Sequence, residues 1–67
     1  MEPWQERVIA EKVELDDRLE RLHHALRFRT DLDPAQRDLM FRQACYMEAY
    51  SSTLRERIEA FSKSNPE

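Results

Sequence analysis

Glycine is absent from the 67-residue chain, and cysteine occurs once. Without glycine, any bend must be made by residues that resist positive φ, and no helix carries the internal weak point that glycine introduces. The single thiol, Cys45, excludes an intramolecular disulfide, and no Cys/His spacing suits a structural zinc. Long apolar runs are missing too. Nothing approaches the roughly 20 residues of a membrane span, and the opening residues, which include Glu2 and Glu6, lack the apolar stretch of a secretory leader. These absences predict a cytosolic protein with no membrane partner, in which Cys45 stays reduced and is expected to be buried as a small hydrophobe.

Small size sets a second limit. A chain of 67 residues has room for one domain, spanning 1–67, whose core is small relative to its surface. With neither disulfide nor metal to staple it, association with further copies is the expected source of stability.

What the sequence does contain is two apolar stripes. The first is Val8, Leu15, Leu19, Leu22 and Leu26; the second is Met40, Ala44, Met47, Leu54, Ile58 and Phe61. Steps of three and four keep each stripe on one side of a 3.6-residue helix. If the chain folds back at 29–33, Leu22 meets Met40, Leu19 meets Ala44, Leu15 meets Met47 and Val8 meets Leu54, with position numbers summing to 62 or 63. A near-constant sum is what an antiparallel hairpin requires, because advance along one helix is retreat along the other. The predicted fold is therefore all-α: an antiparallel two-helix hairpin, about 3–28 and 34–61, with a frayed polar tail at 62–67. Such hairpins are expected to assemble into a homo-oligomeric helical bundle, of which a four-helix dimer is the simplest. Local signals agree with these limits. Pro3 suits a first helical turn, and Asp33-Pro34-Ala35-Gln36 reads as a capping box that restarts the chain after the bend.

One layer of the seam is polar, with Lys12 opposite Ser51. Either Lys12 snorkels past a small spacer, or the two form a polar layer that fixes register or helps line a ligand pocket.

Charge is unevenly spread. Residues 1–20 hold seven acids against Arg7, Lys12 and Arg18, a net −4; residues 21–42 hold five arginines against three acids, a net +2; residues 43–67 come to −1. A hairpin would thus be acidic at its open end and basic at its bend. Duplex DNA is an unsuitable partner, because neutralising phosphates needs a basic face along much of the molecule.

No catalytic residue, cofactor or metal ligand set is expected. Cys45 falls mid-helix with no histidine predicted beside it. Glu20-Arg21-Leu22-His23 has the Glu-x-x-His spacing of di-iron bundles, but the predicted register offers Met40, Arg42 and Gln43 opposite it and no glutamate. Binding is better served. Leu39, Gln43, Tyr46, Tyr50 and Arg57 make a second stripe of rings with polar tips, and Ile9 with Val13 makes a smaller apolar patch. Tyrosine faces of this kind serve subunit interfaces or stack bases and sugars. At the bend, His24, Arg27 and Arg42 accompany Phe28 and Phe41, which is equipment for holding phosphate beside a purine. The candidate ligand-binding residues are therefore His24, Arg27, Arg42, Tyr46, Tyr50 and Lys12, and the candidate oligomer interface is Ile9, Val13, Leu39, Tyr46 and Tyr50. The plainer reading of the same residues is an interface between hairpins and a solvated bend whose arginines pair with Asp31 and Asp38.

Across nearly its whole length the chain resembles a group of very small phage and prophage proteins, some of which carry labels borrowed from crAss-like phage genomes. The resemblance lies in Gln5-Glu-Arg-Val-Ile-Ala-Glu-Lys-Val-Glu-Leu-Asp-Asp-Arg-Leu19 and in Met47-Glu-Ala-Tyr-Ser-Ser-Thr-Leu-Arg-Glu-Arg-Ile-Glu-Ala-Phe61. It implies a non-enzymatic accessory protein acting in the host cytoplasm, with no catalytic motif to carry over. Counter-defence by sequestration follows as the leading expectation, with a cyclic nucleotide or ADP-ribose derivative held between subunits. The alternatives are a protein inhibitor or adaptor that blocks a host defence protein through its acidic first helix or tyrosine face, and a structural assembly module.

Overall fold

The computed structural model describes residues 1–63. Two helices, α1 (Pro3–Phe28) and α2 (Pro34–Lys63), pack against each other as an antiparallel hairpin about 51 Å long and 14–15 Å across. α2 runs two residues past the expected end at Phe61, so Ser62 and Lys63 are helical; the rest of the expected tail, 64–67, lies outside the described residues.

Helix limits follow from their caps. Pro3 occupies the first turn of α1, where its missing N–H costs nothing, and the Glu2 N–H donates to Gln5 Oε1 at 2.7 Å. At α2, Asp33 Oδ2 accepts from the N–H groups of Ala35 (3.1 Å) and Gln36 (3.3 Å). Only this arm of the expected capping box forms among the described residues. The bend needs no left-handed residue: α1 ends at Arg29 with φ −80° and ψ 134°, and no described residue has positive φ. Two arginines fasten it. Arg29 makes a two-pronged hydrogen bond to Asp31 at 3.1 and 2.8 Å, and Arg37 of α2 donates to the Leu26 carbonyl at 2.5 Å, satisfying one of the orphan acceptors at the end of α1.

The hairpin forms, but its register differs from the predicted one: Asp16 meets Ser51 and His23 meets Glu48, position sums of 67 and 71 where 62 or 63 was expected, so one helix is displaced along the other by about one turn. Val8, Leu15, Leu54 and Phe61 form the buried cluster, with Ile9, Met47 and Ile58 packed against it, and Ala44 is buried farther along. Leu54 is the most enclosed, at 1% exposure. Burial fades toward the bend, where Leu19, Leu22, Leu26 and Met40 are half-buried. The open end is closed by Trp4, whose ring meets Phe61 edge-on at 5.3 Å.

The polar layer is a closed set of three groups. Lys12 Nζ donates to Asp16 Oδ2 at 2.6 Å and to Ser51 Oγ at 3.1 Å, and Ser51 Oγ donates to Asp16 Oδ1 at 2.5 Å. Lys12 therefore stays in the seam and ties the helices in one register instead of reaching past it. Hydrogen bonds from Lys12, then from Ser51, hold the Asp16 carboxyl below its ordinary 3.8, against a small opposing effect of burial. A depressed folded-state pKa gives stability that is present above pH 3.8 and lost as pH falls through the lower folded value. Asp16 is 45% exposed, so solvent screening keeps this contribution below about 1 kcal/mol. Asp16→Asn should accordingly lower stability slightly at pH 7 and flatten the loss as pH falls below 3.8, which acid titrations of both proteins followed by circular dichroism will check. An unchanged acid limb would remove this role from the layer.

Candidate functional site

Helix geometry sorts the surface into two flanks. Residues one step past a seam position (Ile9, Val13, Asp16, Glu20, His23 and Arg27 on α1; Phe41, Cys45 and Glu48 on α2) share the first flank. The 2.8 Å contact between His23 Nε2 and Glu48 Oε2 and the Asp16–Ser51 bond fix this side. Residues one step before a seam position (Leu39, Gln43, Tyr46, Tyr50 and Arg57) share the second.

This sorting corrects several expectations. The two parts of the candidate interface do not form one surface: Val13, 65% exposed, lies on the first flank and the tyrosines on the second, while Ile9 packs against the core. Cys45 is exposed, because it follows the seam residue Ala44 and is turned about 100° away from the seam. A glutamate does stand opposite the Glu20–His23 segment: Glu48 reaches His23 along the flank, outside the seam pairing that offered Met40, Arg42 and Gln43. The bend does not gather all its expected members either. His24 lies against Phe28 with centroids 4.7 Å apart, and the Arg27 guanidinium sits 6.0 Å from the same ring, whereas Arg42 belongs to the tyrosine flank.

Each flank carries a groove. On the first, near the bend, an open groove of about 550 Å³ is lined by His23, Arg27, Arg37, Phe41 and Cys45, together with Asp38 and Glu48. Its charges largely cancel. Glu48 pairs with His23, Arg37 is engaged with the Leu26 carbonyl, and Asp38 adds a further negative charge. On the second flank, a shallower groove of about 320 Å³ is made entirely by α2, from Leu39, Arg42, Gln43, Tyr46, Met47 and Tyr50. Here Arg42 is the sole charged residue, an amide lies beside it, and two phenol rings, 69% and 45% exposed, flank the floor. Three of the six candidate ligand residues, Arg42, Tyr46 and Tyr50, thus meet in one place; Arg27 faces the other groove, His24 covers Phe28, and Lys12 belongs to the polar layer. An arginine fork beside aromatic faces, with no carboxylate in the lining of the groove, is suited to an anionic group attached to a planar ring.

The sequence matches the family model described as Sequestin over residues 2–60. The chain belongs to the Sequestin family. No curated protein and no solved structure matches it. The Sequestin match takes in α1, the bend and α2 as far as Ala60, so both grooves and the polar layer fall within it. It covers Gln5–Leu19 and all but the last residue of Met47–Phe61, the two segments on which the likeness to small phage proteins rests. Among the described residues no group of three or more His, Cys, Asp or Glu side chains could hold a metal ion, and no helix is long and apolar enough to cross a membrane.

Proposed function

We propose that this Sequestin-family protein is a non-enzymatic sequestering protein, encoded by a phage and acting in the host cytoplasm, that binds a nucleotide-derived immune signal and withholds it from its receptor. The family name accords with a sequestering role. The carrying observation is the tyrosine groove: Arg42, Tyr46 and Tyr50 share it with no acidic side chain in its lining. Arg42 supplies charge-assisted hydrogen bonds to a phosphate, Gln43 offers an amide to a base or ribose edge, and a tyrosine ring stacks on the base. The groove of one hairpin is too open to bury such a ligand, so the ligand is held between subunits of a homo-oligomer. Without a paired nucleophile and base, binding leaves the ligand intact.

The rival groove at the bend supports the reading less well, because Asp38 and Glu48 would repel the same phosphate. Calorimetric titration against a panel of cyclic nucleotides and ADP-ribose derivatives tests the proposal. The expected result is saturable binding of at least one member; silence across the panel would overturn it.

A further inference from the structure

A further groove lies at the open end of the hairpin, between the first turn of α1 and the last turns of α2. It encloses about 370 Å³ and is lined by Trp4, Arg57, Ala60 and Phe61. Arg57, Ala60 and Phe61 stand three and four residues apart and so share one side of α2, while Trp4 of α1 meets Phe61 edge-on at 5.3 Å. Ala60 keeps the space open, because its methyl is too short to fill what a longer side chain there would occupy.

Two features exceed what closing the hairpin requires. Phe61 is buried, but Trp4 remains 44% exposed, so much of the indole is uncovered. Arg57 is exposed and forms no ion pair among the described residues. Its neighbours one turn away on α2, Thr53, Leu54, Ala60 and Phe61, include no acid. Nor does α1 set a carboxylate against the groove: Glu6, two residues past Trp4, is turned about 200° away around the helix, whereas Arg7 shares the side of Trp4. Glu11, the next acid along that side, makes no ion pair with either arginine.

We propose that this groove is a second binding site, for a planar aromatic ring that carries a phosphate. The ring stacks on the Trp4 indole, and the Arg57 guanidinium donates charge-assisted hydrogen bonds to the phosphate. Arg57 precedes Phe61, the ring that Trp4 touches, by one helical turn, roughly 6 Å along α2, which leaves room for a ribose between base and phosphate. The assignment rests on Trp4 and Arg57 and not on sequestration at the tyrosines: Arg42 is 15 residues, roughly 22 Å, from Arg57 along α2.

Trp4 is the one tryptophan in the chain, so its fluorescence, excited beyond the absorption of the tyrosines, reports on this groove. Titration of the full-length protein with AMP should quench it saturably. Adenosine, which lacks the phosphate, and ribose 5-phosphate, which lacks the ring, should each bind on the order of tenfold more weakly or worse. Arg57→Gln should weaken AMP on the order of tenfold, and Ala60→Leu should abolish the quenching by filling the groove. Both positions are exposed, so circular dichroism should show an unchanged fold. Arg42→Ala should leave the quenching curve where it is. No saturable quenching by AMP, equal midpoints for AMP and adenosine, or a curve indifferent to Arg57→Gln and Ala60→Leu would overturn the assignment. Arg57-dependent quenching with a silent calorimetric panel would uphold this groove and remove the sequestration reading. A nucleotide that binds in the calorimeter through Arg42 while AMP leaves Trp4 unquenched would do the reverse.

Discussion

Leu54→Ala should destabilise the protein by about 4 kcal/mol, in the upper part of the range for a leucine removed from a closed core. Leu54 is 1% exposed and joins Val8, Leu15 and Phe61 in the only fully buried cluster among the described residues. A chain this short has a total stability of roughly 3–5 kcal/mol before any partner binds. The variant should therefore be largely unfolded at micromolar concentration, with most of its helical circular dichroism lost, since isolated helices of this length are marginal in water. Leu22→Ala, at a half-buried position nearer the bend, should cost less, about 2 kcal/mol. Urea titrations of the two variants will rank them; equal losses would mean that assembly buries the bend as fully as the open end.

Ligand should raise the melting temperature by about 10–20 °C at a hundredfold excess over its dissociation constant, since binding only to the folded state adds about 2.7 kcal/mol and a domain under 100 residues gains several degrees per kcal/mol. If copies associate through the exposed Leu39, Tyr46 and Tyr50, the melting temperature should also climb with protein concentration in the absence of ligand. Differential scanning calorimetry over a hundredfold range of protein concentration checks the second effect directly. A concentration-independent transition, with sedimentation showing a compact 8.1 kDa species throughout, would contradict it.

The hairpin was legible in the sequence because its information is local and periodic. Stripes at steps of three and four set both helix faces, but pair sums of 62 or 63 misplaced the register by about a turn, as the Asp16–Ser51 and His23–Glu48 contacts show, because repeating apolar stripes can still pair after such a slide. Asp33 and Pro34 marked the start of α2 through capping chemistry that needs no tertiary contact. Flank assignment was less legible. Tyr46 and Tyr50 could be grouped with Leu39 by spacing along one helix, but placing Val13 on the opposite side requires knowing which edges of α1 and α2 adjoin. The His23–Glu48 pair decides that, and spacing within either helix alone does not. Cys45 was open to correct placement: with Ala44 assigned to the seam, its neighbour had to turn away. The closing contact of Trp4 on Phe61 is also recoverable in hindsight, as both lie at the open end of the same pairing.

Calorimetric titration of the wild-type chain and Arg42→Ala, side by side, tests the central claim most directly. Arg42 is exposed and far from the buried cluster, so its removal should leave the fold intact by circular dichroism. Loss of its charge-assisted hydrogen bonds should weaken binding of a nucleotide-derived ligand by about 10- to 150-fold. Ligand released from the wild-type complex by heating should have its original mass. Binding that is indifferent to Arg42, or a released ligand that has been cleaved, would contradict sequestration at the tyrosine groove.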